Sequence, residues 1–497
     1  MSDELPVGWS ACTLGDIVES IETGKSVKCD ERPPQGEENG LVKISAVTWG
    51  TFNEQESKTL FDSSHLKPEE KIQLGDFLIS RANTLELVGS CVLVKQLSKN
   101  LYLSDKVLRL VLADESKPWL LTCLRTKNGR KQIESLATGN QLSMRNISQQ
   151  ALKEIRIPLP PLAEQTRIAA KLDELLAQAD TLKARIDGIP ALLKRFRQSV
   201  LAAAVSGRLT EEWRKTQTSA GTGADVIRND QLAKAALLER QPELKKKKSS
   251  IESDIDENYL FPIPESWSFT TWGKLSEWIT YGFTRPMPKS ETGVKLLTAK
   301  DVQRFELELM SCGLTTTEAF VGLSDKDKPV KGDLLITKDG SIGRAALVHT
   351  NEEFCINQSV AVCWLRSTTM NKRYLELLSN GDFTQGFVKD KAQGMAIQHL
   401  SIIDFAKCPV TVPSSIEQDE IVRRVEQLFA FAEQLERKVK SAKSRIDHLT
   451  QSILAKAFRG ELVPQDPNDE PASVLLERIQ TQRATAPKAK RGRKASA

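Results

Sequence analysis

Several absences narrow the reading before any pattern is considered. The chain has only four histidines and eight cysteines in 497 residues. The cysteines (Cys12, Cys29, Cys91, Cys123, Cys312, Cys355, Cys363 and Cys408) form no C-x-x-C pair. Neither a disulfide framework nor a zinc ligand set is spelled out, and no metal site is expected. Scattered thiols of this kind fit a reducing cytoplasm, the expected location. No apolar run approaches the ~18 residues of a membrane span. The opening Met1-Ser2-Asp3-Glu4 lacks the basic and apolar regions of a secretion signal. The formal net charge is only +5, and no globular stretch is broadly basic. A purely electrostatic binder of nucleic acid is therefore disfavoured, and any such face must be a local patch.

Catalytic motifs are missing as well. There is no G-x-x-x-x-G-K-[ST] loop for a nucleotide and no Asn-Pro-Pro-aromatic or Gly-rich signature of methyl transfer. Pro68-Glu69-Glu70-Lys71 reads as a helix start rather than a nuclease carboxylate cluster. Gly340-Ser341-Ile342-Gly343 lacks the spacing and the paired histidine of a nucleophile elbow. No catalytic residue is expected.

What is present is a heptad seam that occurs twice. The first copy runs Ile168, Leu172, Leu175, Ala179, Leu182, Ile186, Ile189, Leu193, Phe196, Val200, Ala203. The second runs Ile421, Val425, Leu428, Ala432, Leu435, Val439, Ala442, Ile446, Leu449, Ile453. An apolar period of 3.5 sustained this long is the mark of a helix in a left-handed coiled coil. Roughly 40 residues at about 1.5 Å each make a rod on the order of 60 Å. Such a stripe needs a partner, and each copy is the natural partner of the other, antiparallel. Pro158-Leu159-Pro160-Pro161 and Val412-Pro413 precede the rods, Glu164-Gln165 and Glu417-Gln418 begin them, and Gly207 and Gly460 end them. Ser415 with Gln418 has capping-box spacing. Pro190 predicts a kink without a break in the first rod.

The globular parts repeat too. Leu5-Pro6…Trp9 is answered by Ile263-Pro264…Trp267, Leu14-Gly15-Asp16 by Trp272-Gly273-Lys274, and Val42–Ala46 by Lys295–Ala299. Gly75-Asp76…Ser80 is answered by Gly332-Asp333…Thr337, and Ala137-Thr138-Gly139 by Ala392-Gln393-Gly394. Strand-like runs at Val42–Ala46, Phe77–Ile79, Val88–Val94 and Val107–Leu112, with helical spacing at 118–129 and 371–381, predict mixed α/β domains. The expected division is 1–157 for the first domain, 158–214 for its helix, 215–258 for a linker with a short helix near Leu232–Glu239, 259–410 for the second domain, 411–462 for the second helix, and 463–497 for a tail. Lys245–Lys248 reads as a solvated part of the linker, and Lys488, Lys490, Arg491, Arg493 and Lys494 read as a disordered basic end.

Two variable α/β domains, each followed by a long helix that opens on Pro…Glu-Gln and closes on Gly, resemble the specificity subunits of type I restriction-modification systems. The resemblance rests on the motifs just quoted, with Gln198–Leu209 and Gln451–Leu462 at the helix ends, and spans about residues 5–462. It implies an α+β fold: two similar target-recognition domains separated by an antiparallel coiled coil. It implies a non-catalytic chain that binds double-stranded DNA, each domain reading one half of a bipartite asymmetric site. The helices would set the spacing and dock two methyltransferase subunits, and two restriction (translocase-nuclease) subunits would join. S-adenosylmethionine, ATP and Mg²⁺ would be bound by those partners and no cofactor by this chain. Two other classes share the repeat: the specificity subunit of another DNA-modification or phage-defence complex, and a coiled-coil adaptor with no DNA role.

The candidate base-reading residues lie in polar loops that recur in the two domains. In the first they are Arg81, Asn83 and Thr84, with Thr138, Gly139, Asn140, Gln141, Arg145 and Asn146. In the second they are Lys338, Asp339, Ser341 and Arg344, with Gln393, Gly394, Gln398 and His399. Arg and Lys fit the guanine O6/N7 edge, Asn and Gln the adenine N6/N7 edge, and Gly lets backbone approach closely. Candidate partner-docking residues on the rods are Arg167, Lys171, Arg195, Arg197, Arg423, Arg424, Lys438 and Arg445.

Overall fold

The computed structural model describes residues 5–48, 50–62, 64, 66–141, 144–217, 221–244, 254–394 and 398–485. The Lys245–Lys248 run and the basic end from Lys488 lie outside the described residues. The chain forms two compact units. The first is Met1–Ile186 with Ala442–Ala497, and the second is Asp187–Ser441. Among the described residues no helix is long and apolar enough to cross a membrane.

Each unit is built on a four-stranded antiparallel sheet. In the first unit its order is Ser20–Thr23, Val107–Val111, Phe77–Ser80, Cys91–Leu93. In the second it is Trp278–Tyr281, Val360–Trp364, Leu334–Thr337, Ala345–Leu347. The strand after each Gly-Asp turn is buried on both faces. Side chains alternate across a strand, so Phe77 and Ile79 enter one apolar core while Leu78 enters another. Leu334 and Ile336 divide from Leu335 in the same way. The repeated aspartates have a shared task. Asp76 accepts from the Gln73 amide and pairs with Arg109 at 2.9 Å; Asp333 accepts from the Val330 amide and pairs with Arg366 at 3.0 Å. A second sheet in each unit contains one parallel pair, Asn39–Val42 with Asn100–Tyr102 and Val294–Leu297 with Phe354–Ile356. Gly24 and Gly282 sit so close to these strands that a Cβ would lie 1.7 Å from the Leu103 carbonyl oxygen and 1.8 Å from that of Ile356.

A two-stranded ribbon joins the start of each domain to the entry of its long helix. Ser10–Thr13 pairs with Arg156–Leu159, and Ser268–Thr271 with Pro409–Val412. This brings the repeated tryptophans onto the Glu-Gln pairs. Trp9 Nε1 donates to Glu164 Oε2 at 3.0 Å, and Trp267 Nε1 to Glu417 Oε2 at 2.9 Å. Gln165 and Gln418 donate to the Pro160 and Pro413 carbonyls. The Glu-Gln motif is thus a buried clasp between helix and domain. At the second clasp Ser414, not Ser415, accepts from the Glu417 amide, because Ser415 is already the first residue of the helix.

The first rod consists of Leu162–Asp187 and Ile189–Val205, separated by Gly188, which itself keeps right-handed helical φ and ψ. Pro190 lies in the first turn of the second piece, where its missing N–H is least costly. The other rod is one helix, Ser415–Phe458. Antiparallel pairing is visible within each unit. In the first, Ile168 and Leu172 share a core with Ile453 and Ala457, and Lys183 pairs with Asp447. In the second, Arg197 meets Glu436 and Arg424 donates to the Leu209 carbonyl. The seam is not buried throughout: Leu182 is 47% and Leu449 51% exposed. Ala179, Leu193, Ala432 and Ile446 are buried outside the domain cores, so the stripe is covered in places and open in others, and the full-length reading overstated the contact.

The segments expected as linker and tail are docked helices. Gly223–Arg240 buries Val226 and Leu238, and Ala472–Thr485 buries Ala472 and Leu475. Burying a valine or leucine contributes about 1.5–3 kcal/mol, enough to hold such a helix in place. Both enter alike, with the Gly223 amide on the Ser266 carbonyl and the Ala472 amide on the Gly8 carbonyl. Both end alike. Lys234 donates to the Gly273 and Lys274 carbonyls, and Arg483 to those of Gly15 and Val18, at the ends of the short helices Trp272–Leu275 and Leu14–Ile17. A cation on terminal carbonyls is a favourable helix end. The repeat therefore includes a third element, which precedes its domain in the second unit and follows it in the first.

Candidate nucleic-acid interface

The two polar segments of the first domain, far apart in sequence, form one small sheet. Thr138–Gln141 pairs with Met144–Asn146, and the latter pairs with Ala82–Asn83. Arg145 stands opposite Asn83, Asn146 opposite Ala82, and Thr138 opposite Asn146. Gly139 has φ +134°, and a Cβ there would lie 2.6 Å from the Met144 carbonyl oxygen, so the hairpin requires glycine. The edge is anchored by main chain: the Ile147 amide donates to Arg81, and the Arg81 amide to Lys106. Arg81, Lys106 and Gln141 are exposed, and no side chain among the described residues pairs with Arg81, Lys106 or Arg145. Arg145 Nε is itself buried without an acceptor. Asn83 and Thr84 are half-buried. Thr84 is structural at its carbonyl, which receives the Leu87 and Val88 amides. Asn140 lies in the strand, and its neighbours 142–143 are outside the described residues.

The second domain brings its two segments together in the same pattern, reduced to single bridges. Asp339 bridges His399, and His399 bridges Gln393. The Leu400 amide donates to Lys338, the Lys338 amide to Ser359, and the Gly340 amide to the Gln398 carbonyl. Ser341 turns its carbonyl onto Thr337 Oγ1. Gly394, with φ +101°, stands where Gly139 stands. The charges differ, however. Lys338 Nζ lies 2.9 Å from Asp339 Oδ1 and 5.2 Å from the Tyr281 ring centre, His399 Nδ1 is 2.6 Å from the same carboxylate, and Arg344 donates to Gln303. Lys106 in one domain and Tyr281 in the other were not among the candidates; Asp339, which was, is held against Lys338 and His399. Lys106 immediately precedes the strand Val107–Val111, where only the Arg81 amide on its carbonyl marks it.

The family described as type I restriction modification DNA specificity domain matches residues 6–191 and 284–442. The chain belongs to that family. It is 35% identical over 370 residues, 72% of this chain and 71% of the relative, to the type I restriction enzyme EcoBI specificity subunit of Escherichia coli. It is 28% identical to the EcoDI specificity subunit of Escherichia coli over 99% of both chains. Among solved structures it shares its fold with the HsdS subunit of Thermoanaerobacter tengcongensis, at TM-score 0.54 and 17% identity, covering 92% of this chain and 98% of that one. As a type I specificity subunit the chain is the DNA-recognition component, and its two matched regions correspond to the two repeated domains.

The rod residues of this specificity subunit fall into two groups. Four of the candidate docking arginines are engaged within the chain. Arg167 holds Asp469 through both terminal nitrogens, Arg197 holds Glu436, and Arg423 and Arg424 both hold Glu420. Those two arginines keep the Glu420 carboxyl low, at about 2. Lys171 pairs with its helix neighbour Glu174. Arg195, Lys438 and Arg445 are exposed and have no side-chain partner among the described residues.

Proposed function

We propose that each small polar sheet reads the bases of one half of a bipartite, asymmetric DNA site. The observation that carries this is that both domains join two distant polar segments by the same main-chain pairing while presenting different side chains. A shared scaffold with unlike edges suits two unlike half-sites. In the first domain Arg81, Arg145 and Lys106 are the cations offered to guanine edges or phosphates, with Asn83, Gln141 and Asn146 suited to adenine. In the second, Lys338, Arg344, Gln393, Gln398 and His399 fill that role, with Gly139 and Gly394 shaping the hairpins. The paired helices fix the distance between half-sites, as half-site spacing follows from geometry in two-fold readers.

The chemistry of restriction and modification belongs, in this reading, to partner subunits: two methyltransferase subunits with S-adenosylmethionine, and two translocase-nuclease subunits with ATP and Mg²⁺. Arg195, Lys438 and Arg445 are the rod cations left for docking. The test is co-expression with the cognate methyltransferase subunit, incubation with DNA and S-adenosylmethionine, and mapping of methylated adenines. One split site with two dissimilar halves is expected. Methylation without sequence preference would overturn the reading.

A further inference from the structure

The two clasps are built alike but filled differently. In the second unit, Glu417 is 2% exposed and fully used. Its Oε2 receives Trp267, and its Oε1 receives Thr210 Oγ1 at 2.7 Å and Arg214 through Nε at 3.0 Å and Nη2 at 2.8 Å. Arg214 Nη2 also donates to the Gly207 carbonyl, and its guanidinium carbon lies 5.6 Å from the Trp267 ring centre. One arginine thus answers a buried carboxylate, a helix-end carbonyl and an indole face.

In the first unit the receptor is present without the arginine. Glu164 is 1% exposed, Trp9 donates to its Oε2, and its Oε1 is buried with no partner. A cavity of about 430 Å³ opens at this point, lined by Trp9, Pro161, Glu164, Gln465, Asp466 and Asp469 among others. Arg167 is near but committed to Asp469. After Gly207 the chain supplies Arg214; at the matching distance after Gly460 it supplies Pro467, within Gln465-Asp466-Pro467-Asn468. Burial pushes the Glu164 carboxyl up from its usual range, against the lowering effect of Trp9. A buried, half-satisfied carboxyl of this kind is costly unless a cation or donor completes it.

We propose that the Glu164 cavity receives a guanidinium group, an arginine side chain that reproduces at the first clasp what Arg214 does at the second. Guanidinium fits better than ammonium because the template uses a planar fork against carboxylate, carbonyl and ring together. Two sources share this chemistry: Arg491 or Arg493 at this chain's own basic end, or an arginine of a subunit that assembles with it.

The full chain labelled with 5-fluorotryptophan tests this by fluorine NMR, with Trp9 assigned by Trp9→Phe and methylguanidinium as probe. A saturable shift of the Trp9 resonance, absent in Glu164→Gln, is expected, while Trp267 stays put. If the full chain does not respond but the chain ending at Thr485 does, the proposal holds and the chain's own end is the occupant. If Trp9 responds in neither, or responds equally in Glu164→Gln, the proposal fails. Arg214→Ala supplies the converse: vacating the second clasp should make Trp267 responsive to the same probe, and a silent Trp267 in the folded variant would remove the template on which the comparison rests.

Discussion

The two units use one scaffold and differ in how they treat charge. Where they agree, the residues face inward: Trp9 and Trp267, Glu164 and Glu417, Gln165 and Gln418, Gly24 and Gly282 each make the same contact. Where they differ, the residues lie on the small polar sheet or at the mouth of the clasp. Asp339 gathers Lys338 and His399, whereas Ala82 in the matching place leaves Arg81 and Arg145 unneutralised. The repeat therefore separates what holds the molecule together from what it presents.

The largest expected break in this comparison is at the clasps. Glu417→Ala removes the acceptor of Arg214, Thr210 and Trp267, and breaking a buried pair costs about 3–5 kcal/mol. Glu164→Ala removes one indole bond and an under-satisfied carboxyl, so it should cost only ~1 kcal/mol. Urea unfolding of both variants checks this; equal losses would show that the clasps are energetically alike.

The sheets come next. Arg145→Ala should weaken discrimination in one half-site by roughly 1–3 kcal/mol, measured as relative methylation of single-base variants. Asp339→Asn should act in the opposite sense. With the carboxylate gone, Lys338 is released toward DNA, and affinity at low salt should rise with a slope steeper by about one ion per cation freed. Binding isotherms across a salt series give the answer, and an unchanged slope would place Lys338 off the DNA.

The smallest effect is a pH dependence confined to the first clasp. Burial raises the Glu164 carboxyl above its unfolded value. The folded state then holds the proton more tightly, so this group's contribution is fully present at low pH and is lost as pH rises through the raised pKa. Glu164→Gln should flatten that part of the stability profile. An identical profile in the variant would assign the pH dependence elsewhere.

Much of this architecture is written in the repeat. The Gly-Asp turns, the Glu-Gln pairs and the glycines that end the rods were visible because each recurs in the same order, and each has a physical demand behind it: the aspartates and glutamates their partners, and Gly207 and Gly460 positive φ with Pro264 and Pro6 packed where a Cβ would stand. The polar loops were legible as a set, since Gly139 and Gly394 mark the hairpins. The arginines on the aspartates were not, because Arg109 lies within its strand and Arg366 beyond the end of its own. The docked helices were read as linker and tail for a similar reason. Their two copies lie on opposite sides of their domains in chain order, and their sequences share little beyond one cation, Lys234 or Arg483. Leu182 and Leu449 show the limit of periodicity: it places a residue on a stripe but does not supply the neighbours that cover it.

The central claim is that the two domains read independently. It is tested most directly by exchanging residues 259–410 for the matching domain of a relative with a different site, assembling the chimera with its methyltransferase subunit, and mapping methylated adenines. The account predicts that one half of the bipartite site changes while the other half, read by the sheet around Arg145, stays as it was. A chimera that altered both halves together, or neither, would contradict it.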